Sequence, residues 1–217
     1  MKQLGILKSV HVGRAAPLGP DNVPSGFVKT PVAGAVAVRA LGLAGDEQAD
    51  LSVHGGPDKA VYAYALSHYP AWTTEYSEHA DIFGAGSMGE NLAIDGMDEG
   101  DICVGDVHAI GSALLQACQP RQPCFKLALR FNDKRLPAAM TISGRSGWYY
   151  RVLQEGEINS GDAVSLHARP HADFAFKRLV EIVSRRNANK EELAQMAEME
   201  GLAVQWREFA REKLLRV

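Results

Sequence analysis

The residues best suited to chemistry surround one cysteine, in Gln119-Pro120-Arg121-Gln122-Pro123-Cys124-Phe125-Lys126-Leu127. Each proline fixes its own φ, so the segment is stiff. Arg121 and Lys126 flank the thiol, and nearby cations favour the thiolate, the form that ligates metals or attacks electrophiles. From local physics alone, a buried inert cysteine beside two surface cations fits as well. A second group is Gly42-Leu43-Ala44-Gly45-Asp46-Glu47, followed by His54-Gly55-Gly56-Pro57-Asp58-Lys59. Paired glycines let a backbone approach a ligand closely, and exposed amides after Pro57 with Lys59 suit an anion. Met88-Gly89-Glu90-Asn91-Leu92 can bring a carboxylate and an amide into a cleft, or form an ordinary turn. Gly144-Arg145-Ser146-Gly147-Trp148-Tyr149 can meet a phosphate, or lead into a packed aromatic segment.

Several other matches fail. Gly84-Ala85-Gly86-Ser87-Met88-Gly89 satisfies GxGxxG in letters, but the dinucleotide fingerprint must follow a strand and open a helix, and here a strand and turn follow. There is no Walker sequence, GxSxG elbow, EF-hand ligand order or HExxH pair. Three cysteines without a CxxC pair exclude a zinc cage and a disulfide framework. Reduced thiols and a cytoplasmic location are expected. The first residues lack the apolar stretch of a signal peptide, and no run of 18 apolar residues exists, so no membrane span is expected. A net charge of -3 gives no basic excess for nucleic acid.

The elements that must position these residues fall into two parts. Residues 1–168 are rich in glycine and short apolar runs, whereas residues 171–217 hold one glycine, Gly201, and no proline. Strands are expected over 5–12, 32–39, 91–94, 101–110, 113–118 and 163–166, which argues for a mainly β barrel or sandwich. Helices are expected from Ala60 to Tyr76 and from Pro137 to Thr141. The tail reads as a small all-α domain of three helices. Asp173 can cap the first, with Phe176, Leu179, Val180 and Val183 on one stripe. Asn189 and Glu192 form a capping-box start, Gly201 suits a C′ position, and Leu202, Trp206 and Phe209 make the last apolar stripe. Nine Lys/Arg against eight Asp/Glu in the tail argue against a DNA-binding helix-turn-helix.

Taken in order, GLAGDEQADLSVHGGPDKAVYAY, MGENLAIDG, VGDVHAIGSALLQACQPRQPCFKL and GRSGWYYRVLQEGEI resemble the MOSC family, named for the C-terminal domain of molybdenum-cofactor sulfurase. The C-terminal GLAVQWREFAREKL is similar to the three-helix appendage of the family's small bacterial YiiM-type members. The resemblance implies a β-barrel-like MOSC domain over 1–168, a three-helix domain over 171–217, and molybdenum cofactor (Mo-molybdopterin) in a cleft. Cys124 would be the metal's protein ligand, since soft thiolate suits such a centre. Arg121, Lys59 and Arg145 would meet the anionic tail of the cofactor, His54 and Asn91 the pterin or substrate. Glu90 or Asp46 would be the catalytic proton donor. The implied activity is two-electron reduction of N-hydroxylated compounds such as hydroxylaminopurine. The sequence shows no flavin, haem or iron–sulfur motif, so electrons are expected from a separate reductase. The alternative is sulfur transfer through a persulfide on Cys124, loaded by another protein because no pyridoxal-phosphate desulfurase domain is present. The oligomeric state stays open, a homodimer included.

Overall fold

The computed structural model describes residues 1–216, and the side chains of all of these except Ser52 and Val53. Its strands are β1 (Lys2–Val12), β2 (Ala16–Leu18), β3 (Val23–Ser25), β4 (Thr30–Val32), β5 (Val36–Arg39), β6 (Gly42–Leu43), β7 (Val61–Ala65), β8 (Leu92–Asp95), β9 (Val107–Ile110), β10 (Ala113–Pro120), β11 (Trp148–Gln154), β12 (Gly156–Ile158) and β13 (Ala163–Ala168). The α-helices are α1 (Leu51–His54), α2 (Tyr69–Glu75), α3 (Phe125–Phe131), α4 (Leu136–Ser143), α5 (Phe176–Arg185), α6 (Lys190–Glu198) and α7 (Val204–Leu214).

Seven strands close a barrel in the order β1-β13-β9-β10-β11-β7-β8 and back to β1, with β4 attached outside β1. An odd ring cannot alternate direction throughout, so one neighbouring pair must be parallel. That pair is β7–β8, with Ala63 opposite Leu92 and Ala65 opposite Ile94. Closure leaves these strands without free edges. The interior is apolar: Leu7, Val10, Leu92, Ile94, Leu115 and Trp148 are fully buried.

The helix expected from Ala60 to Tyr76 is corrected. All five residues Val61–Ala65 are buried in a strand, and the α-helix runs only over Tyr69–Glu75 with proline in its first turn. A fully buried strand carries no alternation, so an apolar run there reads equally as helix. The segment 32–39 divides between β4 and β5, which belong to different sheets. Within 101–110 only Val107–Ile110 is strand. The helix expected at Pro137–Thr141 lies within α4.

In the tail, Asn189 and Glu192 form the expected capping box, with Glu192 N donating to Asn189 Oδ1 at 2.8 Å. Asp173 does not cap α5. Ala175 occupies that position without a side-chain bond, and Asp173 instead accepts from Gln195 Nε2 at 2.9 Å. Nor does Gly201 close α6, whose C-cap is Met199. A Cβ on Gly201 would stand 2.6 Å from Gly105 Cα, so glycine here permits backbone contact with the barrel. Phe176, Leu179, Met196, Leu202 and Trp206 share one apolar cluster with barrel residues Ile102, Leu115 and Ala117. A second cluster, including Tyr64, Trp72, Phe131 and Met140, packs α2, α3 and α4 against the barrel. Among the described residues, no helix is long and apolar enough to cross a membrane.

Candidate active site

β10 runs into the stiff segment 120–124, and Cys124 stands at the N-cap of α3. Its side chain is partly buried and faces a cleft of about 640 Å³, counting the solvent at its mouth. Burial works against ionisation of Cys124. A hydrogen bond with His54, the Arg121 charge and the Lys126 backbone amide outweigh it and bring the thiol down from 9.0 to about 7. The other thiols behave oppositely. Burial pushes Cys118 far up, and it raises Cys103 as well. Cys118 Sγ lies 3.3 Å from the Asp58 carbonyl, inside the wall and away from solvent.

The cleft is electropositive on a chain of net charge -3. Lys29, Lys59, Arg121 and Lys126 line it against Asp46 and Glu47. Arg121 is buried between aromatic faces, with its guanidinium carbon 4.8 Å from the Tyr62 ring centre and 5.1 Å from that of Phe27. It donates to the Met88 carbonyl, which ties the cysteine-bearing segment to the MGEN turn. Burial lowers the Lys59 pKa, partly opposed by Asp58. Tyr62 stays neutral, since burial raises its pKa strongly, and its hydroxyl donates to the Ser146 carbonyl at 2.8 Å.

The structure brings Cys124, His54, Lys59, Asn91, Arg121 and Asp46 to one cleft. Two of them, Asn91 and Asp46, are engaged within the protein. The Asn91 amide is fully engaged: Oδ1 accepts from Tyr62 N at 3.0 Å, and Nδ2 donates to His11 O at 3.2 Å and Asp46 Oδ2 at 2.8 Å. Asp46 also accepts from Gly13 N at 2.8 Å and pairs with Lys29, both side chains being almost fully buried. These residues form a rigid polar floor. Lys29 carries no motif of its own, and nothing in the sequence singled it out.

Glu90 and Arg145 do not join this group. Glu90 is sealed beneath the cleft, its carboxylate accepting from Tyr69 Oη, Gly86 N and Met88 N. Burial raises its pKa, yet it reaches no part of the cleft wall. It organises the 86–90 turn. Arg145 pairs with Glu75, with Nη2 2.6 Å from Oε2, and lies over the Trp72 ring at 3.9 Å. It borders a different cavity, with His68 and Glu99.

Asp58, in the HGGPDK stretch, is a second residue whose part the sequence did not reveal. Its carboxylate accepts from Arg151 Nε at 2.8 Å and from Val204 N at 2.9 Å, and its carbonyl accepts from Gln119 Nε2 at 2.8 Å. One residue thus joins the loop bearing His54 and Lys59 to β11 and to the start of α7.

The donor set fits a thiolate-ligated metal with an anionic organic part. A thiol lowered to about 7 faces the cleft, Lys59, Arg121 and Lys126 line that cleft, and the buried His54 Nδ1 has no hydrogen-bond partner.

Residues 50–165 match the family model of the MOSC domain. Protein YiiM of Escherichia coli (strain K12) is 40% identical over 150 residues, which cover 69% of this chain and 67% of that protein. A Gibberella moniliformis protein named Reductase is 36% identical over 198 residues, 90% of this chain but only 35% of its own length. Among solved structures, YiiM from Geobacillus stearothermophilus superposes with a TM-score of 0.81 at 34% identity, covering 97% of this chain and 99% of that one. Escherichia coli YiiM gives 0.78 at 30% identity, with 93% of each chain covered.

Proposed function

The chain belongs to the MOSC domain family, and on that premise we propose that it is a molybdenum-cofactor-dependent reductase of N-hydroxylated compounds. The carrying observation is the Cys124 thiol, held near half-ionisation at neutral pH in a cation-lined cleft. The fungal relative named Reductase supports a redox role.

Cys124 would hold the metal, because a ready thiolate is the soft ligand such a centre takes. Lys59, Lys126 and Arg121 would bind the cofactor's anionic groups through charge-assisted hydrogen bonds. His54 Nδ1, buried and without a partner, is available for a polar contact with the pterin or substrate. When bound, the cofactor supplies the two-electron chemistry that balances as R–NHOH + 2e⁻ + 2H⁺ → R–NH₂ + H₂O. The chain's own residues orient the reactants. Asn91, Asp46 and Lys29 fix the floor, and Phe27, Tyr62 and Tyr149 supply apolar wall that limits water. Proton-holding groups facing the cleft are His54, Lys59 and Lys126; sealed Glu90 is no longer a candidate. Electrons come from a separate reductase, and reduced cysteines accord with a cytoplasmic location.

The test is expression in a host that makes molybdenum cofactor, followed by metal and pterin analysis. Turnover of hydroxylaminopurine with an artificial electron donor follows. The wild type should carry the cofactor and reduce the substrate, and Cys124→Ser should abolish reduction while keeping the fold. Undiminished turnover in Cys124→Ser would refute the mechanism. Persulfide on Cys124 without any pterin would replace it with sulfur transfer.

A further inference from the structure

Tyr62, Tyr64, Tyr69, Tyr149 and Tyr150 lie close together in β7, α2 and β11. Four of them commit their hydroxyls inside the protein. Tyr62 donates to the Ser146 carbonyl at 2.8 Å, Tyr64 to the Arg145 carbonyl at 3.1 Å and Tyr69 to sealed Glu90, while the Tyr150 hydroxyl bonds His108 Nδ1 at 2.6 Å. The fifth differs. Among the described residues the Tyr149 hydroxyl has no hydrogen-bond partner, and it is not one of the sealed, unpartnered polar atoms. A tyrosine packed into a protein ordinarily finds a partner for its O–H. This one is open.

The strand decides where it points. Successive side chains of a strand face opposite ways. Trp148 and Tyr150 are fully buried in the apolar cluster of the barrel, so Tyr149 between them faces outward. It stands beside Tyr62 of the adjoining strand, with ring centres 5.1 Å apart and planes at 38°. Across β10 it pairs with Gln119, five residues before Cys124. Both rings wall the Cys124 cleft, and Tyr149 borders neither of the cavities beside α5. Burial raises the pKa of the Tyr149 phenol, with the Arg121 charge working against it and the Cys124 thiolate with it. Its oxygen is therefore close enough to feel the thiol and the guanidinium, and it stays protonated as a neutral donor.

Other polar groups of the cleft are suited to different work. Asn91, Asp46 and Lys29 bind one another. Arg121 is held on the Met88 carbonyl. Lys59 and Lys126 are cations, which favour anions. An N-hydroxylated compound differs from its amine product by one neutral oxygen, which accepts a hydrogen bond. A neutral, uncommitted O–H beside the thiol matches that oxygen.

We propose that Tyr149 determines specificity for the N-hydroxyl group, its O–H donating to the oxygen that leaves as water. The proposal rests on the reductase reading for its substrate and adds the residue that recognises the bond to be broken. When the oxygen has gone the donor has no acceptor, so the amine is held less tightly than the substrate and departs.

Tyr149→Phe deletes the hydroxyl and keeps the ring against Tyr62. Binding of hydroxylaminopurine and of adenine to the holoenzyme is measured by calorimetry without an electron donor, in the wild type and the variant, with pterin content determined for both. The wild type should bind hydroxylaminopurine more tightly than adenine. The variant should narrow that preference by about two- to tenfold, the scale of one neutral hydrogen bond, with adenine affinity and pterin content unchanged. A preference of the same size in both proteins overturns the proposal. So does an equal loss of both affinities, which assigns the hydroxyl to the base, or a loss of pterin, which assigns it to the cofactor. Turnover with an artificial donor separates the two readings. A narrowed preference without reduction by the wild type sinks the reductase reading and leaves the N-hydroxyl contact standing; reduction with an unchanged preference does the reverse.

Discussion

In cofactor-free protein, Cys124 should react with iodoacetamide along a pH profile centred near 7, and removing His54 should move that centre upward. The magnitude follows from the thiol's displacement from 9.0 to about 7. At pH 7 a thiol of pKa 7 is half ionised, whereas one of pKa 9 is ionised to about 1%, a gain of roughly 50-fold in thiolate. The less basic thiolate is also the weaker nucleophile. A Brønsted slope of ~0.4–0.5 over two pK units costs about six- to tenfold. The net advantage is therefore about five- to eightfold at pH 7, and it reverses above about pH 8, as the ordinary thiol begins to ionise. The assay is timed alkylation from pH 5.5 to 10, quantified by peptide mass. Cys103 and Cys118 are internal controls, being buried with raised pKa values. Burial opposes the Cys124 thiolate, and the hydrogen bond with His54 is the strongest influence in its favour, so His54→Ala should shift the midpoint toward 9. A wild-type midpoint near 9, or an unmoved midpoint in His54→Ala, would overturn this account of the thiol.

Other substitutions probe the frame of the site. Asp46→Asn leaves the buried Lys29 without its charge partner; a loss of about 3 kcal/mol is expected, or ~6–12 °C in Tm for a chain of this size, and an unshifted melting curve would contradict it. Burial opposes the Asp106 charge, but the neighbouring His108 ring, with Nε2 3.8 Å away, and hydrogen bonds from Arg169 prevail and hold its carboxyl below 3.8. A depressed carboxyl stabilises the fold above its unfolded pKa and loses that contribution as pH falls. Arg169→Met should therefore cost about 2–3 kcal/mol at pH 7 and flatten the loss of stability below pH 4, as followed by urea unfolding. Arg145→Ala should retain wild-type pterin content, because Arg145 is engaged by Glu75 and Trp72 away from the cleft; cofactor loss would restore its proposed contact. Asn189→Ala removes one half of the capping box and should cost about 1 kcal/mol, measured by thermal unfolding.

Legibility followed the range of the interactions. The capping box of α6 is local, three residues apart, and it was readable. The Arg121 charge beside Cys124 was readable for the same reason, being three residues away, whereas Lys126 favours the thiolate through its backbone amide rather than through the charge the sequence suggested. His54 was only a candidate contact, because the bond that most favours the thiolate spans 70 residues. Strand β7 was hidden because burial on both faces erases alternation. Glu90 looked like a cleft acid because glycine precedes it. Its three donors are assembled by the turn and by Tyr69, and sequence spacing does not say that the carboxylate points inward. Lys29 was invisible because its meaning comes from Asp46, on another segment.

Asp58 carries a consequence for how the chain tolerates damage. The residue that satisfies the first amide of α7 also steadies the loop presenting Lys59 and His54. Loss of the last two dozen residues would therefore do more than strip a surface. It would bare Cys118, whose backbone carbonyl accepts from Ala203 N at 2.9 Å, and cut one guy-line of the loop that presents His54 and Lys59 to the cleft. Truncation, or a protease nick just ahead of α7, should thus loosen the cleft from a distance while leaving the barrel's seven staves hooped together.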